Sequence, residues 1–227
     1  MAEASRSRRR TAAPTPGQKE LKAPARPNAQ PYRRGIERIN ALLDAAEQIL
    51  ATDGYDAATL KAAGERAGIP TASVYHYFSD RHQVDAELMR RHVENLEVLI
   101  SGVFDGDTPP TTLEGTLDTV VDLMLGYFRT HPSCVELWFA RRSDTLEELV
   151  RAFDEKMAEQ LWTYARDQEL LHPDTPLLVA RLTFEAANRL FDVAFRVAPA
   201  TGDDVVLAEQ RRFLLSYLRT YAADPSA

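Results

Sequence analysis

Residues 59–81, TLKAAGERAGIPTASVYHYFSDR, decide the fold. Two short helical runs, Leu60–Ala67 and Thr71–Tyr77, are joined through Gly68, Ile69 and Pro70. Thr59 is placed to cap the first run with its hydroxyl. Gly68 lets the chain reverse at positive φ, Ile69 can plug the gap between the helices, and Pro70 with Thr71 opens the second run. This is the size and turn chemistry of a helix-turn-helix, whose second helix enters the major groove of a duplex. The run Tyr75 to Phe78 packs three aromatic rings and a histidine into four consecutive positions, and a helix cannot turn four neighbours into one core. Val74 and Phe78 share a face and are assigned to the core with Ala63, Ala67 and Ile69. Ala72, Ser73 and His76 then point outward, with Thr71 and Tyr75 at the edges. Hydroxyl and ring N–H groups there suit phosphate, and small methyls or a ring edge suit base edges. The competing reading of the aromatic run is a buried plug.

Outward from this stretch the periodicity is helical throughout. Ile39, Leu42, Leu43, Ala46, Ile49 and Leu50 recur at three- and four-residue steps in a first helix, from Ile36 to the stop at Gly54. Ser79 or Asp80 caps a long helix over about residues 81–103, with Val84, Leu88, Val93, Leu96, Leu99, Ile100 and Val103 as its apolar positions. Further helices are expected over about 113–130, 133–141, 144–170, 176–197 and 203–221. No alternating strand pattern occurs. The fold class is all-α, with about nine helices: a three-helix helix-turn-helix domain over 32–80 and a larger helical bundle over 81–223.

The chain has 227 residues and a net charge of −7, unevenly spread. Residues 1–34 carry nine Lys or Arg against two Asp or Glu, whereas residues 96–227 carry twelve against twenty-two. An acidic body with a basic arm argues against broad adhesion to nucleic acid and allows a focused contact. Residues 1–31 are rich in Pro, Ala and Arg and read as a disordered arm. Arg6, Arg8, Arg9, Arg10, Arg33 and Arg34 could meet phosphates. The single cysteine, Cys134, excludes an internal disulfide and fits a reducing compartment. The start has arginines but no apolar stretch after them, so a cytoplasmic protein is expected, without a membrane span. No cofactor or metal site is expected. No HExxH, phosphate-binding glycine loop or nucleophile elbow occurs, which argues against an enzyme.

The segment RINALLDAAEQILATDGYDAATLKAAGERAGIPTASVYHYFSDRHQVDAELM resembles the N-terminal domain of TetR-family transcriptional regulators. DGY, Thr59, RAGI, VYHYF and the cap with its basic neighbour carry the resemblance, which covers about residues 36–92. The later helices match only in number, length and order. The resemblance implies a three-helix DNA-binding domain on a larger ligand-binding and dimerisation domain. It implies that Thr71, Ala72, Ser73 and Tyr75 lie at the groove floor and that Thr59, His76, Tyr77 and Arg81 touch phosphates. Two positions depart from the family pattern. Ala63-Gly64 replaces a β-branched residue and an alanine, which predicts a looser first short helix. Pro70 replaces Ser or Thr, so Thr71 is expected to cap the second helix instead. No Lys, Arg, Asn or Gln lies between Pro70 and Phe78, so specificity is expected to lean on apolar contacts, DNA shape or arm arginines in the minor groove.

One short reading helix contacts too little DNA, so a homodimer on a pseudo-palindromic double-stranded operator is expected. The last two helices are its natural interface, with Leu182, Ala186, Leu190, Val193, Leu207, Phe213, Leu214 and Leu218 as candidates; internal core faces are the alternative. Met124, Tyr127, Phe128, Trp138, Phe139, Trp162, Phe184, Asn188 and Phe191 are candidates for a pocket, with plain core as the alternative. Such a pocket suits a small hydrophobic or aromatic effector that releases a repressor from DNA. Whether binding represses or activates follows from where the operator lies. The other functional class compatible with the sequence is a helical protein-binding adaptor without DNA binding.

Overall fold

The computed structural model describes residues 29–139 and 143–223. Among the described residues nine α-helices follow one another: α1 (Ala29–Asp53), α2 (Leu60–Ala67), α3 (Thr71–Tyr77), α4 (Arg81–Phe104), α5 (Leu113–Thr130), α6 (Pro132–Phe139), α7 (Asp144–Asp167), α8 (Leu177–Val197) and α9 (Asp204–Arg219). A single 3-10 turn, Tyr55–Ala57, was not anticipated. Among the described residues the β-structure amounts to one isolated bridge, Leu171 to Ala222. No described helix is long and apolar enough to cross a membrane.

Side-chain caps set several of the starts. Thr59, Asp80, Thr112, Ser143 and Asp203 each accept a hydrogen bond from the backbone N–H three residues on. α1 begins at Ala29 rather than near Ile36. Its Pro31 falls in the first turn, where a missing N–H costs nothing. The arm over residues 1–28, with Arg6, Arg8, Arg9 and Arg10, lies outside the described residues. α7 stops at Asp167, short of the expected 170, because Glu169 takes a left-handed φ of 56° and turns Leu170 and Leu171 back toward Ala165.

α2 packs on both α1 and α3, and Leu42, Leu43, Ala46, Ala63, Ile69, Val74 and Phe78 belong to the shared core. α4 leaves this unit and runs into the bundle, packing on α1, α5, α6 and α7, while α8 packs on both α7 and α9. Of the expected α4 core positions, Leu99 is exposed. The stripe is wider than the partners that cover it.

The loosening expected from Ala63-Gly64 is not what forms. A Cβ on Gly64 would stand 2.6 Å from Val74 Cγ2 and 3.2 Å from the Ile69 carbonyl oxygen. Glycine is what allows α2 and α3 to approach this closely. Val74 is fully buried and stiff at χ1, so it cannot swing aside. Gly64→Ala should gain up to about 1 kcal/mol of helix propensity and lose about 1–3 kcal/mol to overpacking. A net destabilisation of about 1–2 kcal/mol in urea titration is the expected result.

Candidate nucleic-acid interface

α3 starts without a side-chain cap, because Pro70 occupies that position. The Pro70 carbonyl still accepts from Ser73 N at 2.8 Å and Val74 N at 3.1 Å. Thr71 is therefore inside the helix and does not cap it, contrary to expectation, which leaves its hydroxyl uncommitted. The helix divides sharply. Val74 and Phe78 are buried, whereas Thr71, Ala72, Tyr75 and His76 are exposed and Ser73 and Tyr77 are half-buried. Tyr75 is 55% exposed, a high value for a large ring. Among the described residues the hydroxyls of Thr71, Ser73, Tyr75 and Tyr77 make no hydrogen bond, and neither does the His76 ring, which only meets Tyr77 edge-on. A face of unspent donors on a rigidly seated helix is what groove recognition needs. Thr59 is exposed beside it in sequence. Its oxygen accepts from Ala62 N at 3.1 Å, which leaves the hydroxyl proton free to donate.

Arg81 does not join this surface. Its guanidinium lies 3.1 Å from the Tyr55 ring centroid and its Nε stands 3.6 Å from Asp85 Oδ1, with the side chain only 20% exposed. Tyr55 also donates to Asp85 Oδ2 at 2.8 Å. Burial raises the Asp85 carboxyl above its usual range, and Tyr55 and Arg81 offset only part of that rise. Arg81 therefore ties α4 to the 3-10 turn rather than reaching for phosphate. Arg33 and Arg34 are exposed on the first turns of α1, with Arg33 in a solvated pair to Glu37 at 3.1 Å. Such a pair is weak enough to exchange for phosphate.

A relay centred on the buried His92 and Ser133 joins α1 to the bundle. Asn95 Nδ2 reaches the Tyr127 hydroxyl at 3.5 Å, and that hydroxyl lies 2.9 Å from His92 Nδ1. His92 Nε2 is 3.3 Å from Ser133 Oγ, which donates to Glu47 Oε1 at 3.1 Å. Every group is satisfied if neutral His92 carries its proton on Nε2. Arg91 reinforces the junction by donating to Asp44 and Asn40 of α1, both at 2.8 Å. Burial, then His131 and Arg91, depress His92 to about 4, and burial pushes Tyr127 up to about 12.

An unfolded histidine titrates near 6.5. Stability contributed by neutral His92 is therefore complete above about pH 6.5 and drains away as pH falls toward 4. The loss is on the order of 3 kcal/mol. His92→Gln should be less stable than wild type at pH 8 by about 1–3 kcal/mol, because the relay is broken. The two stability curves should converge between pH 6.5 and 4 in urea titrations at stepped pH. Parallel curves would show that His92 is not the titrating group.

The residues expected to form one pocket are divided between two. A cleft of 510 Å³ opens between α6, α7 and α8, walled by Trp138, Phe139 and Asn188 among mostly acidic neighbours. A dry cavity of only 80 Å³ lies among α5, α7, α8 and α9, and Met124, Trp162, Phe184 and Phe191 line it. Tyr127 and Phe128 line neither. Tyr127 belongs to the relay, and Phe128 is the hub of an aromatic cluster with Trp138, Phe139, Phe191 and Phe195. The interface candidates divide as well. Leu182 and Phe213 are exposed and Ala186, Leu190 and Val193 half-buried. Leu207, Leu214 and Leu218 are buried in the chain's own core and unavailable to a partner, because α9 uses that stripe against α8 and α5.

Sequence reasoning missed Asp154, which is 6% exposed on the cleft wall. The signal was present: Asp154 sits four residues after Val150 and three before Met157, inside the apolar stripe of α7.

Residues 42–87 match the family described as bacterial regulatory proteins, tetR family, and residues 112–218 match the tetracyclin repressor-like C-terminal domain. A TetR-family transcriptional regulator from Streptomyces coelicolor is similar in structure, with a TM-score of 0.62 and 30% identity over 81% of this chain and 99% of that one. The HTH-type transcriptional activator FasR of Mycolicibacterium smegmatis is 36% identical over 67 residues, 30% of this chain and only 29% of that relative's length. RolR in complex with resorcinol has the same fold, with a TM-score of 0.59 and 14% identity over 80% of this chain and 89% of that one.

Proposed function

Because the chain belongs to the TetR family of transcriptional regulators, we propose that it is a ligand-responsive, sequence-specific repressor acting as a homodimer on a pseudo-palindromic operator. Residues 32–80 are the DNA-reading unit and residues 81–223 the effector and dimerisation unit. The observation that carries the reading is the outer face of α3, where Thr71 and Tyr75 stand exposed with no hydrogen-bond partner among the described residues and His76 meets only the Tyr77 ring. Thr71, Ala72, Ser73 and Tyr75 meet base edges, while Thr59, His76, Tyr77, Arg33 and Arg34 meet phosphates. Repression follows when the operator overlaps a promoter, so that occupancy excludes polymerase.

The effector site is the cleft between α6, α7 and α8, whose 510 Å³ and walls of Trp138 and Phe139 suit a small molecule with an aromatic body. The dry cavity, at 80 Å³, would have to expand to take one. α7, one wall of the cleft, packs on α4, and α4 carries Arg91 and His92 at the junction with α1. Effector binding that displaces α7 therefore biases the position of α1 to α3, and release follows if the bound form favours a spacing unlike the operator's. Selection from a random DNA pool tests the whole reading. It should return an inverted repeat with half-sites about 34–36 Å apart, bound with a steep salt dependence. A pool that shows no enrichment would leave the adaptor reading standing instead.

A further inference from the structure

The chemistry of the cleft singles out a class of effector. Six carboxylates line it, Asp144, Glu147, Glu148, Asp154, Glu185 and Asp192, against two arginines, Arg151 and Arg189. Arg189 is spent on Asp192, which also takes Arg196 Nη2 at 2.9 Å. Five carboxylates therefore face the space with Arg151 as the one remaining cation among the described lining residues. An acidic rim alone would mean only a solvated surface.

Asp154 changes that, because it lies deep in the wall rather than on the rim. Its Oδ2 accepts from Asn188 Nδ2, and its Oδ1 is buried with no hydrogen-bond partner among the described residues. Burial, then Glu185, push its carboxyl well above the usual carboxylate range. That shift favours the neutral acid in the free chain, and a cation seated at the unpartnered Oδ1 would draw the proton off and hold the carboxylate in its place. Beside it stands Trp138, its indole held edge-on between Phe128 and Phe153 at 5.5 and 5.4 Å. Phe139 adds a second aromatic wall. An anionic ligand would meet net repulsion from the described lining residues, and a neutral apolar one would leave Asp154 Oδ1 without a partner. A cation on an aromatic or apolar body answers both the charge and the ring walls.

We propose that the cleft takes an organic cation, an amine or quaternary ammonium on an aromatic body, whose charge is held by Asp154 and whose body packs on Trp138 and Phe139. The proposal rests on the cleft being the effector site of a DNA-binding regulator, and its test separates the two.

Titration calorimetry on the full chain would use three cations of rising size, phenethylamine, benzyltrimethylammonium and 4-phenylbutyltrimethylammonium. Neutral neopentylbenzene, a neutral phenol and anionic benzenesulfonate are the contrasts. At least one cation should bind more tightly than every contrast. Asp154→Asn keeps the shape and the Asn188 partner and removes the charge. It should weaken the cation by about 10- to 100-fold and leave neopentylbenzene unchanged. Circular-dichroism melting should show the variant folded and at least as stable as wild type. If that variant fails to fold, Asp154→Ala supplies the same comparison, because it too removes the carboxyl and leaves the aromatic walls in place. Preference for the phenol, the neutral hydrocarbon or the anion would overturn the proposal, as would failure of all three cations or indifference of the cation to Asp154→Asn. Gel shifts run in parallel keep the readings apart. Operator binding without cation binding sinks the cation proposal alone, whereas cation binding without operator binding sinks the regulatory reading.

Discussion

Tyr75→Ala combined with His76→Ala, changed in both subunits of the dimer, is expected to lower affinity for the selected operator by about 10³-fold or more, with the melting temperature within a few degrees of wild type. Each good base or phosphate contact contributes about 1–3 kcal/mol, and two are removed per α3. The small structural cost follows from the burial pattern. Tyr75 is 55% exposed, and among the described residues its hydroxyl has no hydrogen-bond partner and the His76 ring meets only Tyr77. The single changes should separate by kind. Tyr75→Phe should relax sequence preference, whereas His76→Ala should weaken all sequences alike and flatten the salt dependence. The neighbours give the control: Val74→Ala cuts into a fully buried site and should cost stability before specificity. A double variant that binds the operator at wild-type strength would take α3 out of the groove.

The reading unit was the most legible part of the sequence because its signals are local. Thr59 caps, Gly68 reverses the chain at φ 66°, Pro70 opens α3, and Val74 with Phe78 falls on one face by spacing alone. What the sequence concealed depends on partners far along the chain. Arg81 reads as a phosphate contact until Tyr55 and Asp85 are seen beside it, brought together by the packing of α4 on α1. The relay from Glu47 to Tyr127 draws on four helices, and nothing in the spacing of His92 and Ser133 announces it. Gly64 looked like a loosening substitution because the atom that needs its missing Cβ belongs to Val74, on the next helix. The aromatic residues of the bundle could be assigned to an interior but not shared among cleft, cavity and core. That division is set by how α5 to α8 cross, not by periodicity within any one of them.

Leu182→Glu combined with Phe213→Glu is expected to yield a folded monomer that no longer binds the full operator. Leu182, Ala186, Leu190 and Val193 follow one another along α8 at steps of four, four and three residues, and none of them is fully buried by the chain itself. α9 runs antiparallel, with Gln210 Nε2 donating to the Ala187 carbonyl at 2.8 Å. Leu182 and Phe213 therefore lie at nearby levels of the helix pair, at 48% and 57% exposure, with Leu178 at 59% one turn earlier on α8. Large apolar side chains gathered on one face of two adjacent helices mark an association surface. In a two-fold interface each substitution is met twice, so two glutamates per chain bring four buried charges into one four-helix contact. Loss of the second half-site contact should weaken operator binding by about 10²- to 10⁴-fold, leaving only salt-sensitive half-site binding. Sedimentation equilibrium and gel shift read the two effects separately. Leu214→Glu is the contrast that fixes the face: Leu214 is fully buried within the chain, so its charge should unfold the bundle rather than divide a dimer. A Leu182, Phe213 double variant that stays dimeric would move the interface off α8 and α9.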